Sequence, residues 1–174
     1  ANGFDINVGG DWTNGGTFSS GGGTQTVTFD GGGPQDIVSG GVSFNNLEVN
    51  KGGGTLTAST AVTTAANFSV SAGEFANGGN AVSVGTTYIQ SGGTFTQGTG
   101  LVGVAGDFNQ SGGTLTQGTG TITLNGGTNT FGGTFSKNAG GLIVFSSGGA
   151  QSLVAGGRDL GNIQTSTAST VVTI

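Results

Sequence analysis

Apolar residues return along this chain at a step of about twenty positions. Val62, Val82, Val102, Ile122 and Leu142 stand twenty apart, and Val84, Val104, Leu124 and Val144 follow two places on. A spacing of two puts both side chains on one face of a strand. The early turns carry the same column as Ile6 and Val8, then Val27 and Phe29. A second column reads Phe18, Ile37, Leu56, Phe75, Phe95, Leu115, Phe135, Leu153 and Val172, in steps of 18 to 20 residues. Polar and glycine-rich stretches lie between, and residues 91–100 (SGGTFTQGTG) return almost unchanged at 111–120 (SGGTLTQGTG).

A fixed period of this size is the signature of a solenoid in which each repeat is one turn. The expected fold is all-β: a single β-solenoid, or parallel β-helix, of about nine turns with 19–20 residues per turn, forming one domain over residues 1–174. One turn reads as a short strand at 82–84, a corner, a second strand at 94–96, and a third extended piece holding Tyr88 or Phe108. Trp12 is placed at the same position, because GGDWTN aligns with AGDFNQ. Paired glycines, as at Gly92–Gly93 and Gly112–Gly113, supply the corners.

A longer repeat overlies the short one. Residues 27–49 align without a gap to 143–165, with Phe29 matching Phe145, Gln35 matching Gln151 and Asn46 matching Asn162. The shift is 151 − 35 = 116 residues, about six turns. Residues 1–58 and 117–174 are therefore read as related internal repeats.

That symmetry bears on assembly. A solitary solenoid exposes an unpaired strand edge at each end unless a polar, charged or proline-bearing cap covers it. Neither end carries an obvious cap. Either the chain is an excerpt of a longer solenoid or its ends pair with the next subunit; for the second, Phe4, Ile6 and Val8 at one end, and Val171, Val172 and Ile174 at the other, are the candidate assembly residues. Pairing of unlike ends is head-to-tail, and a head-to-tail contact that does not close gives a filament of identical subunits.

Charge narrows the remaining choices. The chain has 41 Gly, no Cys and no His, with three basic residues against eight acidic ones for a formal net charge of −5. Lys51, Lys137 and Arg158 cannot build a phosphate-binding stripe, so nucleic acid is not an expected partner. No apolar run is long enough for a membrane-spanning helix. The acids are scattered, with Asp11 and Asp107 read into one column but some five turns apart, so no enzyme activity is expected. Fragments such as GGGPQD resemble calcium-binding β-roll repeats without repeating, and no cofactor is expected. The missing initiator Met and the Gly/Thr/Ser/Asn-rich, Cys-free composition are those of a processed or excerpted exported chain.

Two surface features remain. Thr-x-Thr pieces recur at 55–57, 94–96 and 114–116, with their hydroxyls expected to face solvent in a regular array like that of ice-binding solenoids. Trp12, Tyr88 and Phe108 are the candidate surface-binding residues if their shared column faces outward, where they would meet glycans. An inward column would be core.

The repeats GGTFTQGTG and GDFNQSGGTL, with residues 27–49, resemble the Gly/Thr/Asn-rich β-solenoid repeats of microbial extracellular surface proteins, adhesins and filaments. The resemblance covers nearly the whole chain and implies an extracellular or cell-surface location. It also implies a structural role in a filament or stalk, with an adhesive, glycan-binding segment as the alternative and ice binding as the third reading.

Overall fold

A computed structural model describes residues 3–19, 23–167 and 169–174. Its described strands pair in parallel without exception, and the chain winds them into a solenoid with three walls per turn. One central turn shows the plan. Tyr88–Gln90 lies in the first wall, Thr94–Thr96 in the second and Val102–Val104 in the third. The next turn repeats it as Phe108–Gln110, Thr114–Thr116 and Thr121–Leu124, each strand directly above its predecessor. The first wall runs without a break through nine strands, from Ile6–Val8 to Val171–Thr173. Nine strands bound eight turns, one fewer than the sequence pattern counts. At about 4.8 Å per turn the rod is roughly 38 Å long.

The sequence folds this way because no strand can bury its apolar face alone. The inward residues of the first wall stack as Ile6, Val27, Leu47, Phe68, Tyr88, Phe108, Asn129 and Leu153. The second wall stacks Leu56, Phe75, Phe95, Leu115 and Phe135, as the pattern predicts. The third stacks Val62, Val82, Val102, Ile122, Ile143 and Ile163. From Val27 to Ile143 the apolar members of these columns are almost wholly buried, except Phe135, which is half-buried.

Glycine sets the corners for two different reasons. Between the first and second walls Gly93 and Gly113 take φ of 57° and 66°, a region that Cβ-bearing residues avoid. After the second wall the reason is space. A Cβ on Gly98 would sit 2.0 Å from the Gly78 carbonyl oxygen, and one on Gly118 would sit 2.1 Å from that of Gly98. The recurring QGTG is thus a backbone-on-backbone column.

Several expected columns are reassigned. Ile6, Val8, Val27 and Phe29 belong to the first wall, and the third wall instead begins at Ser43–Phe44. Ile143, not Leu142, continues Ile122, and Phe145, not Val144, continues Leu124. The stretch LIVF is apolar at both parities, so alternation cannot choose between them. Gln35, not Ile37, lies beside Leu56, while Ile37 pairs with Trp12 and Ala58. Leu153 and Val172 are first-wall residues, paired with Asn129 and Gln151. A slip of two residues keeps every side chain on its original face, so a hydrophobic pattern does not register it.

The long repeat is also placed differently. Residues 27–29 lie in the first wall and residues 143–145 in the third; Gln35 lies in the second and Gln151 in the first. The 116-residue shift is therefore five whole turns and two further walls, not six turns. The two repeats are related by a step of one wall around the axis. Residues 155–161 pass where a second-wall strand would stand without forming one.

Candidate functional site

Most of the acids are engaged by the scaffold. Asp5 sits just before its first-wall strand, and its carboxylate accepts the Thr26 N–H of the next turn at 2.8 Å. Asp107, at the same position five turns on, accepts the Thr128 N–H at 2.9 Å. Asn46 and Asn67, between them in the column, accept N–H groups of Asn67 and Thr87. Asp11 does the same for Asp36 at the entrance to the second wall, so it does not share a column with Asp107. Glu48 accepts from Ser71 and Thr28, and Glu74 from Thr55 and Thr96. Each of these side chains lengthens the axial hydrogen-bond ladder or ties neighbouring turns together.

Buried amides perform the same service from inside. Gln90 and Gln110 stack in register, and each donates to a second-wall carbonyl one turn above, Thr114 and Thr134, at 2.9 Å. Lys51 is buried where a bulge in the Asn46–Ala58 strand turns it inward. Its ammonium donates to the Gly31 and Gly33 carbonyls at 3.0 and 2.9 Å and to the Gln35 side chain. Loss of water lowers its pKa, against the pull of Asp30.

The aromatic candidates do not form one outward stripe. Tyr88 and Phe108 share the first-wall column and lie inside it, 0% and 2% exposed. Trp12 lies in the second wall and packs edge-on against Phe18 and Phe44, with centroids at 4.9 and 5.4 Å. Those three rings plug the first turns.

The threonine array does face outward. Thr55, Thr94, Thr114 and Thr134 form one row of the second wall, and Thr57, Thr96, Thr116 and Ser136 the other. Glu74 and Ala76 interrupt the rows between Thr55/Thr57 and Thr94/Thr96.

The two ends are the least satisfied parts of the molecule. Among the described strands, Ile6–Val8 pairs only with Thr26–Phe29, and Trp12–Thr13 only with Gln35–Val38. At the other end Asn162–Thr165 pairs only with Leu142–Phe145, and Val171–Thr173 only with Ala150–Val154. Phe4 is 76% exposed, Ile174 93%, and Val171 is also exposed. Ile6, Val8 and Val172 are half-buried and packed on the core. Sequence reasoning placed Leu153 only in an apolar column and missed Val154, Leu160 and Ile163; with Ile174 and residues 155–158 these line a mostly apolar cavity of about 590 Å³ in the last turn. The loss of the twenty-residue rhythm at 155–161 was the signal available.

One corner of this end is covered after all. Arg158 donates to the carbonyls of Gly132 (2.6 Å) and Gly133, just before the last second-wall strand, Thr134–Ser136. Asp159 forms an ion pair with Lys137 beside it, and that contact, followed by the Gly161 N–H, holds its carboxyl below the usual range. Arg158 belongs to residues 155–161, which pass where the missing strand would stand. The first and third walls have no such cover among the described residues.

No family model, curated protein or solved structure matches this chain. Among the described residues no helix is long and apolar enough to cross a membrane.

Proposed function

We propose that this chain is a structural subunit of an extracellular filament or surface stalk, assembled by head-to-tail stacking of solenoid ends. The observation that carries the proposal is the pair of open parallel edges, each flanked by exposed apolar side chains, on a molecule whose other backbone ladders run from turn to turn. A strand edge with no charge or proline on it is a template for further pairing. The junction between copies would use the same bonds as the junction between turns. Composition supports an exported location: no Cys, few charges, and Gly, Thr, Ser and Asn throughout.

Negative-stain electron microscopy of the purified chain tests the filament. Val172→Pro removes a donor from the last strand and should leave short or single particles; filaments of undiminished length from that variant would falsify the end-pairing. Antibody labelling of intact source cells tests the location. The ice-binding reading rests on the outward threonine rows alone, and a thermal-hysteresis measurement decides it. The glycan reading has lost its aromatic stripe and rests on the outward threonine rows, which a glycan array would test.

A further inference from the structure

We propose that Lys51 and Gln35 join covalently inside the solenoid: the lysine amine displaces ammonia from the glutamine carboxamide and leaves an isopeptide bond. The inference does not depend on whether copies of the chain stack.

The two side chains are buried, each 2% exposed, and meet amine to amide oxygen. Gln35 begins the second-wall strand Gln35–Val38, and Lys51 lies in the long strand Asn46–Ala58 of the next turn. Glycine lets the pair close. A Cβ on Gly31 would sit 2.7 Å from the Gln35 Oε1, and one on Gly73, a turn above, would sit 2.5 Å from the Lys51 Cβ.

The fold holds a glutamine in this way without any lysine. Gln35 donates through Nε2 to the carbonyls of Val8 (2.8 Å) and Gly10, and its Oε1 accepts the Gly31 N–H at 3.1 Å. Gln151, its match in the long repeat, donates to Leu124 at 3.0 Å and Gly126 at 2.7 Å and accepts the Ser147 N–H at 3.3 Å. All three partners are displaced by the same 116 residues, but the position matching Lys51 holds Thr167. Lys51 is therefore an addition to an amide cradle that is complete by itself.

The surroundings favour the reactive form of the amine. Among the described residues Lys51 forms no ion pair. Loss of water lowers its pKa, and the charge of Asp30 opposes this only in part. A neutral amine has two N–H groups and one lone pair. The Gly31 and Gly33 carbonyls, at 3.0 and 2.9 Å, accept the two N–H groups. The lone pair is left for the Gln35 amide.

Nζ adds to the Gln35 Cδ, and the Gly31 N–H faces the oxygen that takes up negative charge. One proton passes from Nζ to Nε2, the Cδ–Nε2 bond breaks, and ammonia leaves by the exposed corner at Gly32 and Gly33. No oxidant, reductant or second substrate enters. Fixed proximity replaces an enzyme, since a nucleophile held against its target acts at an effective concentration of about 10⁵ M or more. The product closes residues 35–51 into a covalent loop that rivets the second turn to the third.

Mass spectrometry of the folded, unmodified chain reads the reaction. The intact mass should be short by one ammonia, and proteolysis should release a branched peptide joining Lys51 to Gln35, with Gln151 unchanged. In chain isolated unfolded and then refolded, the shortfall should appear about tenfold faster for each pH unit while Lys51 is mostly charged, because only the neutral amine attacks. Lys51→Arg should keep the full mass, which separates the bond from ammonia lost by cyclisation at Asn125–Gly126. The branched peptide is read on the unmodified chain, so the test stands even if that variant fails to fold. A folded chain that retains its full mass, or a shortfall with no peptide joining residues 35 and 51, overturns the proposal and leaves the filament reading untouched.

Discussion

Tyr88 lies nearly flat on Phe108, their ring centroids 4.9 Å apart and their planes 15° from parallel. Both belong to an aromatic run of the first-wall column, which Phe68 begins below and Asn129 ends above. Phe131, in the adjacent inward column of the same wall, stands 4.6 Å from Phe108. The stack occupies the middle of the rod and couples successive turns by contact as well as by backbone bonds.

Truncating the stack should be costly. Phe108→Ala leaves a cavity between Tyr88 and Phe131, and a loss of about 3–5 kcal/mol is expected in denaturant unfolding. The opposite change is expected one turn above. Asn129 is wholly buried, its side-chain oxygen has no partner, and its amide reaches Gly126 only at 3.3 Å. Gln151 already donates to that carbonyl at 2.7 Å. Asn129→Leu should therefore stabilise by about 1 kcal/mol.

Tyr88 also makes stability depend on alkaline pH. Burial raises its pKa well above the ordinary tyrosine value. The folded form therefore keeps its proton where the unfolded form has lost it. Stability is full below the unfolded pKa of about 10 and declines as pH rises through it toward the folded value. Since Tyr88 is the only tyrosine, tyrosinate absorbance should rise together with unfolding. Tyr88→Phe should flatten the decline; comparing the two proteins cancels the contribution of Lys51, whose lowered pKa acts in the opposite direction.

Two glycines separate conformation from space. Gly118 faces the Gly98 backbone with no room for a methyl group, and Gly118→Ala should cost several kcal/mol or prevent folding. Gly103 points outward from the third wall with nothing within 4 Å, so Gly103→Ala should stabilise by roughly 0.5–1 kcal/mol. Equal effects at the two sites would contradict the stacked QGTG column.

The Arg158 cap predicts a local result. Arg158→Met keeps the stem but leaves the Gly132 and Gly133 carbonyls without their donor. A loss of about 1–2 kcal/mol is expected, the lower part of the range for charge-assisted bonds because the side chain is partly solvated. Light scattering should also detect new association through the uncovered second-wall edge.

The period and the solenoid were legible because apolar identity, strand alternation and glycine corners all repeat together. Leu56, Phe75, Phe95, Leu115 and Phe135 lie in the one column that the spacing assigns them. Legibility failed where the turn length drifts. The slip at Ile37 is even-numbered and changes no side chain's facing, and the choice between Leu142 and Ile143 lies in a run apolar at every position. The candidate assembly residues were readable as uncharged β-prone ends. The Arg158 cap was not, because its partners are carbonyls 25 and 26 residues earlier, brought beneath it only by the missing second-wall strand. The inward facing of Tyr88 and Phe108 was one of two readings that a lone aromatic column permits.

The parallel ladders also govern how the rod bears load. Its interstrand bonds point along the long axis, so a pull applied to the two ends opens them in succession, starting at the outermost turn. Each yielding step would release about twenty residues, or roughly 65 Å of slack. Force applied across the rod would instead strain whole walls in concert. Such a molecule resists bending and shear while giving way gradually under tension.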